Sequence, residues 1–77
     1  MVPVLAPGDQ NYWSTFGYPA DQLTVWRVKP TTDGGKLRLE VETEYHSADN
    51  TFTYYLRVFN TGGVASTYQL IYQVLYQ

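Results

Sequence analysis

Three glutamates stand at every second position of one short segment: Glu40, Glu42 and Glu44. If the segment is a β-strand, alternate side chains lie on one side at intervals of about 6.6–7 Å. Such a row could hold a cation or pair two carboxylates for acid–base chemistry. Metal sites, however, draw their ligands from several elements, and Arg57 is expected opposite Glu40 on the next strand. We therefore interpret the row as a solvated strand face.

The single histidine, His46, is the other candidate for acid–base chemistry. It precedes a predicted turn that contains Asp49, and a general base needs a nucleophile to activate. The chain has no cysteine, and no serine lies in an elbow-like context. The glycine pairs at 34–35 and 62–63 match no phosphate-binding frame and open no helix, so we interpret them as turns. We expect no enzymatic activity, no cofactor and no metal site.

Aromatic residues crowd the segment 12–18. Sugar rings stack their C–H faces on aromatic rings, while their hydroxyls seek amide and carboxylate groups. The candidate ligand-binding residues are accordingly aromatic side chains and the polar residues beside them: Asn11, Tyr12, Trp13, Tyr18 and Asp21. Packing in the core or in a protein interface is the alternative, because aromatic side chains dominate those places as well. The pattern leaves both interpretations open.

Length and composition predict one small folded domain. The chain has 77 residues, 44% of them hydrophobic, and a single core of this size is often marginal without further support. Because no disulfide is possible, burial against a second copy is the economical source of extra apolar contact. We predict an N-terminal arm over residues 1–8, where Pro3 and Pro7 disfavour a central strand, and a single β domain over residues 9–77. We expect a homo-oligomer.

Charge and hydropathy argue against two classes of partner. The net charge is −2, and the five basic residues are scattered, so no basic run could neutralise a series of phosphates. No apolar stretch approaches the roughly 20 residues needed to cross a bilayer. We therefore expect no nucleic-acid binding and no membrane insertion.

Alternation of apolar and polar residues predicts a β-hairpin in the middle of the chain. Segments 37–45 and 51–60 both alternate with a period of two. A four-residue loop separates His46 from Thr51, and pairing these two residues places the apolar positions of both segments on one face. This register therefore satisfies both faces of the hairpin.

The other strand candidates complete a small all-β fold. Segment 66–77 also alternates, and pairing Val58 with Tyr68 predicts a C-terminal three-stranded meander. Further strands are predicted over 11–16 and 23–28, which gives a small antiparallel β-sandwich or barrel of about five strands. The inward-facing apolar residues are predicted to form the core: Leu37, Leu39, Val41, Leu56, Val58, Leu70 and Val74.

In this meander, four large apolar residues share the outer face with the glutamates: Tyr55, Phe59, Ile71 and Leu75. Such a face is too apolar to remain in free water, so we predict that it mediates self-association.

The segment 52–70, FTYYLRVFNTGGVASTYQL, covers about a quarter of the chain. It resembles the Y-x-L-x-V-x-N-T-G hairpin of bacterial CARDB-type immunoglobulin-like modules. The resemblance implies a non-catalytic extracellular sandwich that serves as a spacer, an adhesion element or an accessory to glycan-processing enzymes.

Together these observations favour a non-catalytic β-sandwich domain for interaction or assembly, which buries an apolar sheet face against another chain. The alternative is a lectin-like carbohydrate-binding module that uses exposed aromatic side chains. A glycan is therefore the second expected class of partner.

Overall fold

The computed structural model describes residues 3–76 and shows an all-β sandwich. Its strands are β1 (Val4–Leu5), β2 (Gln10–Pro19), β3 (Gln22–Pro30), β4 (Leu37–His46), β5 (Thr51–Asn60) and β6 (Ser66–Tyr76). They form two antiparallel three-stranded sheets, in the orders β1-β6-β3 and β2-β5-β4. The predicted fold class is therefore confirmed. No helix in this described part of the chain is long and apolar enough to cross a membrane.

The hairpin of β4 and β5 has the predicted register. His46 pairs with Thr51, and the ladder continues to Leu37 opposite Asn60. The loop between the strands reverses through Asn50, whose φ of 58° lies in the left-handed region that asparagine tolerates. The Asn50 side chain also accepts a hydrogen bond of 2.9 Å from the Tyr45 hydroxyl. Local alternation and a short loop were sufficient to predict this unit.

The predicted meander is wrong in its third strand, because β6 lies in the other sheet. Val58 pairs with Leu39 and Asn11, whereas Tyr68 pairs with Pro30. The segment between β5 and β6 thus crosses from one sheet to the other. The buried Asn60 side chain holds the crossover in place, since its amide donates to the carbonyls of Leu5 (2.9 Å) and Val64 (2.8 Å).

The first three strands differ in extent from the predicted segments. β2 and β3 are longer than predicted, and β2 carries an irregularity between Thr15 and Tyr18. Gly17, with a φ of 76°, allows the strand to continue through this bulge. The segment predicted as an arm contains β1, whose Leu5 is buried against the core.

The core occupies only part of an elongated molecule, which measures 43 × 21 × 20 Å. Leu5, Val58 and Tyr68 form its centre, and partly buried side chains pack around them: Val28, Leu37, Leu39 and Leu70. Among the predicted core residues, Leu56 is fully buried, but Val41 is 43% exposed. That prediction was wrong because Val41 lies on the edge strand β4, where no neighbouring strand covers its far side.

Aromatic rings fill the space between the sheets beside this core. Tyr54 contacts the rings of Tyr18, Trp26 and Phe52 at centroid distances of 5.6–6.1 Å. The hydroxyl of Tyr54 also accepts a hydrogen bond from the backbone N–H of Thr24, which joins β5 to β3 across the sandwich. Edge-to-face and tilted ring contacts of this kind stabilise the pair beyond their buried area.

Candidate binding surfaces

The outward face of the β1-β6-β3 sheet carries four large apolar side chains, with Gln73 opposite Val25 and Arg27 opposite Ile71 on the same face. The four are Leu23 and Val25 on β3 and Ile71 and Leu75 on β6, and we call these four residues the outer apolar face. Leu23 pairs directly with Leu75, and Val25 lies diagonally beside Ile71. Each side chain is 36–45% exposed. A shallow depression of about 70 Å³ lies between Val25 and Ile71.

The four residues predicted for self-association do not form one surface. Ile71 and Leu75 belong to the outer apolar face, whereas Tyr55 and Phe59 lie on the outward face of the opposite sheet. The division follows from the position of β6 in the other sheet. Phe59 is half-buried beneath Arg38, whose guanidinium carbon lies 4.7 Å from the ring centre.

The outward face of the β2-β5-β4 sheet is rich in charge. Arg38 Nη2 lies 3.4 Å from Glu40 Oε2, with both side chains more than half exposed. The Tyr55 hydroxyl donates a 2.8 Å hydrogen bond to Glu44. This bond, with smaller contributions from desolvation and nearby negative charge, raises the pKa of Tyr55 above its ordinary value. The glutamate row therefore makes surface contacts with its neighbours, in keeping with a solvated face.

A concave region of about 440 Å³ lies on this face, lined by side chains of β4 and β5: Glu40, Val41, Glu42, Tyr55 and Arg57. It is open to solvent and contains both signs of charge. Among residues 3–76, no group of three histidine or carboxylate side chains is arranged to hold a metal ion.

His46 contacts both a carboxylate and a hydroxyl, but not in the geometry of a catalytic relay. Its Nε2 lies 3.3 Å from Glu44 Oε1 and 2.9 Å from Thr53 Oγ1. A relay needs the carboxylate on one ring nitrogen and the nucleophile on the other. Here both partners share one nitrogen, and Thr53 is buried. The arrangement suits a half-exposed structural histidine.

The predicted ligand-binding residues separate into four places. Asn11 Nδ2 and Trp13 Nε1 both donate to the hydroxyl of the buried Tyr68, at 2.8 and 2.9 Å, so they link β2 to β6. Trp13 nevertheless remains 41% exposed. Tyr12 points to the opposite side of β2 and stacks on Tyr55 with a centroid distance of 6.3 Å and an interplanar angle of 26°.

The remaining two candidates lie elsewhere. Tyr18 packs between Tyr54 and Trp26 inside the sandwich, and Asp21 is exposed in the turn between β2 and β3. Only Asn11 and Trp13 are therefore brought together as a pair. The alternation of β2 could have separated Tyr12 from these two residues, and Gly17 is the signal for the bulge before Tyr18.

Two residues of the outer apolar face, Leu23 and Val25, were missed from the sequence. The predicted strand over 23–28 was not assigned an outward-facing side. Its alternation indicates the outward side, because Leu23, Val25 and Arg27 are alternate residues and the charged Arg27 favours solvent.

Comparison with known proteins adds no relative: no protein-family model, curated protein or solved structure matches this chain. The resemblance of segment 52–70 to CARDB-type modules stays a prediction.

Proposed function

We propose that this protein is a non-catalytic assembly domain that buries the outer apolar face against another chain. The observation that supports this proposal is the direct Leu23–Leu75 pair, continued by Val25 and Ile71 on the same side of one sheet. Several exposed large apolar side chains on one sheet face are typical of an interaction site.

Burial of the outer apolar face would contribute a substantial free energy for a domain of this size. Burying one such side chain completely is worth about 1.5–3 kcal/mol, so the exposed two-fifths of each still offers roughly 1 kcal/mol. The chain has no disulfide to supplement its core. Association through this face would add apolar burial that the single core does not provide.

A charge placed on the face tests the proposal. Leu23→Lys should weaken association about tenfold or more, since a loss of roughly 1.4 kcal/mol has that effect. Light scattering over a range of concentrations measures the solution mass. Val64→Lys is the matched control, because Val64 has the same 43% exposure and lies in the β5–β6 loop. Equal masses for both variants and the wild type would contradict the proposal.

Carbohydrate binding is the second candidate, favoured by the stacked Tyr12–Tyr55 pair. Arg57 lies 5.9 Å from the Tyr12 ring centre, and Glu44 accepts from the Tyr55 hydroxyl. Exposed rings flanked by hydrogen-bonding groups suit the two faces of a pyranose.

A glycan array, followed by titration of any bound sugar, tests this candidate. Tyr12→Ala should abolish binding, whereas Tyr45→Ala should not, because Tyr45 is equally exposed but lies away from the pair. Binding that survives Tyr12→Ala, or that does not distinguish a sugar from its epimer, would argue against recognition by this face.

A further inference from the structure

Within the part of the chain that the structure describes, strand β6 has an open edge that no other strand covers along most of its length. One side of β6 pairs with β3 from Pro30–Tyr68 to Gln22–Tyr76. The other side pairs with β1 only at Ser66 and Thr67. The next residue of β1 in this register is Pro3, which has no N–H to continue the ladder. Beyond Tyr68, β6 therefore has no partner on this side among residues 3–76.

The hydrogen bonds of β3 show which residues of β6 point to the open edge. The N–H of Thr31 donates to the carbonyl of Thr67 at 2.9 Å, so the odd-numbered residues of β6 bond to β3. The N–H of Thr24 points away from β6 and donates to the Tyr54 hydroxyl. Thr24 lies opposite an even-numbered residue of β6, so this bond agrees with the same alternation. The N–H and C=O groups of Leu70, Tyr72, Val74 and Tyr76 consequently face the open edge.

The other open edges carry features that hinder pairing with another chain. β4 bears three glutamates, β2 is interrupted by its bulge, and β3 ends at Pro30 after two basic residues. β6 contains no charged residue, no proline and no glycine between Ser66 and Tyr76. It is thus the strand of this sandwich best suited to edge pairing.

We propose that β6 pairs antiparallel with β6 of a second copy, about a two-fold axis at Gln73. The inference rests on the proposed assembly function, for which it names the partner and a specific contact. The open edge runs from Leu70 to Tyr76, and its midpoint is Gln73. A strand reversed about this midpoint pairs over its full open length, and both inward faces stay on the same side of the joined sheet.

In this register, the side chains of β6 are complementary to those of the antiparallel β6 of the second copy. Ile71 of one copy lies opposite Leu75 of the other on the outward side, and Gln73 lies opposite its own copy. On the inward side Tyr72 meets Val74, and Tyr72 is 56% exposed in the single chain despite its inward phase. Apolar residues thus meet apolar residues, an amide meets an amide, and no like charges oppose one another. The two outer apolar faces lie side by side on the joined sheet; edge pairing does not bury them, so it is a contact separate from burial of that face.

Disulfide formation provides a direct test, because the native chain has no cysteine. In the proposed dimer the two Gln73 positions form a non-hydrogen-bonded pair with Cα atoms about 4.5 Å apart, within disulfide range. Gln69→Cys is the matched control, since Gln69 is also exposed and on the outward side of β6. Its two copies would lie about 26 Å apart, eight residues along the strand.

Under mild oxidation, Gln73→Cys should form a covalent dimer at least about tenfold faster than Gln69→Cys, because pairing raises the effective concentration of its thiols. Equal rates for the two variants would overturn the proposal. A monomeric wild type at all concentrations in light scattering would overturn it as well.

Charge reversal at the axis tests the two-fold symmetry. Gln73→Lys and Gln73→Glu should each lower the solution mass, since like charges then lie directly opposite, and an equimolar mixture should restore a dimer. Circular dichroism confirms that each variant is folded. A mixture that remains monomeric would refute pairing at Gln73.

The experiments distinguish an incorrect β6–β6 contact from an incorrect proposal that the outer apolar face mediates assembly. If Leu23→Lys lowers the mass of the wild type while Gln73→Cys does not cross-link, the assembly function stands and the β6 contact is wrong. If Gln73→Cys cross-links equally well with and without Leu23→Lys, the edge contact stands and the face does not contribute.

Discussion

Replacement of Asn60 by alanine should destabilise the fold more than most single polar substitutions. Its side chain is buried and makes three hydrogen bonds with backbone groups of two segments, β1 and the crossover between β5 and β6. The amide donates to the carbonyls of Leu5 and Val64, and the Oδ1 atom accepts from the N–H of Gly62 at 2.9 Å. Asn60→Ala removes all three bonds while leaving the backbone pairing of β5 unchanged.

The magnitude follows from the number of bonds. Each contributes about 0.5–1.5 kcal/mol net, so their combined loss amounts to roughly 2–4 kcal/mol. A chain of 77 residues has a free energy of unfolding of about 4–12 kcal/mol in total. Asn60→Ala should therefore remove a large fraction of the stability and lower Tm by about 10–25 °C.

Urea denaturation followed by tryptophan fluorescence measures this loss. Asn11→Ala is the matched control, since Asn11 is half-buried and its amide makes one hydrogen bond to the Tyr68 hydroxyl. We expect the control to lose about 1 kcal/mol. If the two variants lost the same free energy, Asn60 would not be the link between β1, β5 and the crossover segment.

The remaining predictions concern packing and pH. Leu56→Ala should cost about 2–5 kcal/mol, with an unchanged denaturant slope, because Leu56 is fully buried, whereas the paired Val41→Ala should cost about 1 kcal/mol or less. Comparable midpoints would place Val41 in the core after all. The hydrogen bond to Glu44 raises the pKa of Tyr55, so the folded state holds this proton more tightly than the unfolded state. Its contribution is complete below about pH 10 and declines as pH rises through the folded pKa. Tyr55→Phe should reduce the alkaline loss of stability in pH-dependent denaturation, and an unchanged loss would contradict the assignment.

The hairpin of β4 and β5 was predictable because its determinants are local. Two alternating segments separated by four residues leave one register that satisfies both faces, and His46 opposite Thr51 is that register. The inward phase of β6 was also correct, since Tyr68 is buried and Gln69 is exposed.

The neighbour of β6 was not predictable from the same pattern. Alternation gives the phase of a strand but not the sheet to which it belongs, and a five-residue loop can close a hairpin or cross between sheets. The outcome depends on which strand occupies the second edge of β5, and that strand is β2, whose pairs with β5 run from Pro19–Thr51 to Gln10–Phe59 and are therefore far apart in the sequence. Ile71 and Leu75 belong to β6. Because β6 was predicted in the wrong sheet, the predicted self-association surface combined residues that lie on two different faces.

The candidate ligand-binding residues lie apart for a different reason. They are close together in the sequence, but adjacent residues of a strand point to opposite sides. Tyr12 and Trp13 consequently lie on different faces, and the bulge at Gly17 then changes the parity for Tyr18. Periodicity alone cannot locate a bulge, and the signal for this one is Gly17, since a glycine inside a strand often marks a bulge.

The central position of β6 has a consequence for how the chain folds. The β4–β5 hairpin can form within microseconds, because its strands are adjacent in the chain. Among the strands that the structure describes, however, β1 and β3 pair only with β6, and the partner of Val28, Leu70, is synthesised much later. Such non-local pairing folds slowly, in milliseconds to seconds. In a nascent chain, the β1-β6-β3 sheet therefore cannot assemble until β6 has left the ribosome, whereas the β4–β5 hairpin can form earlier.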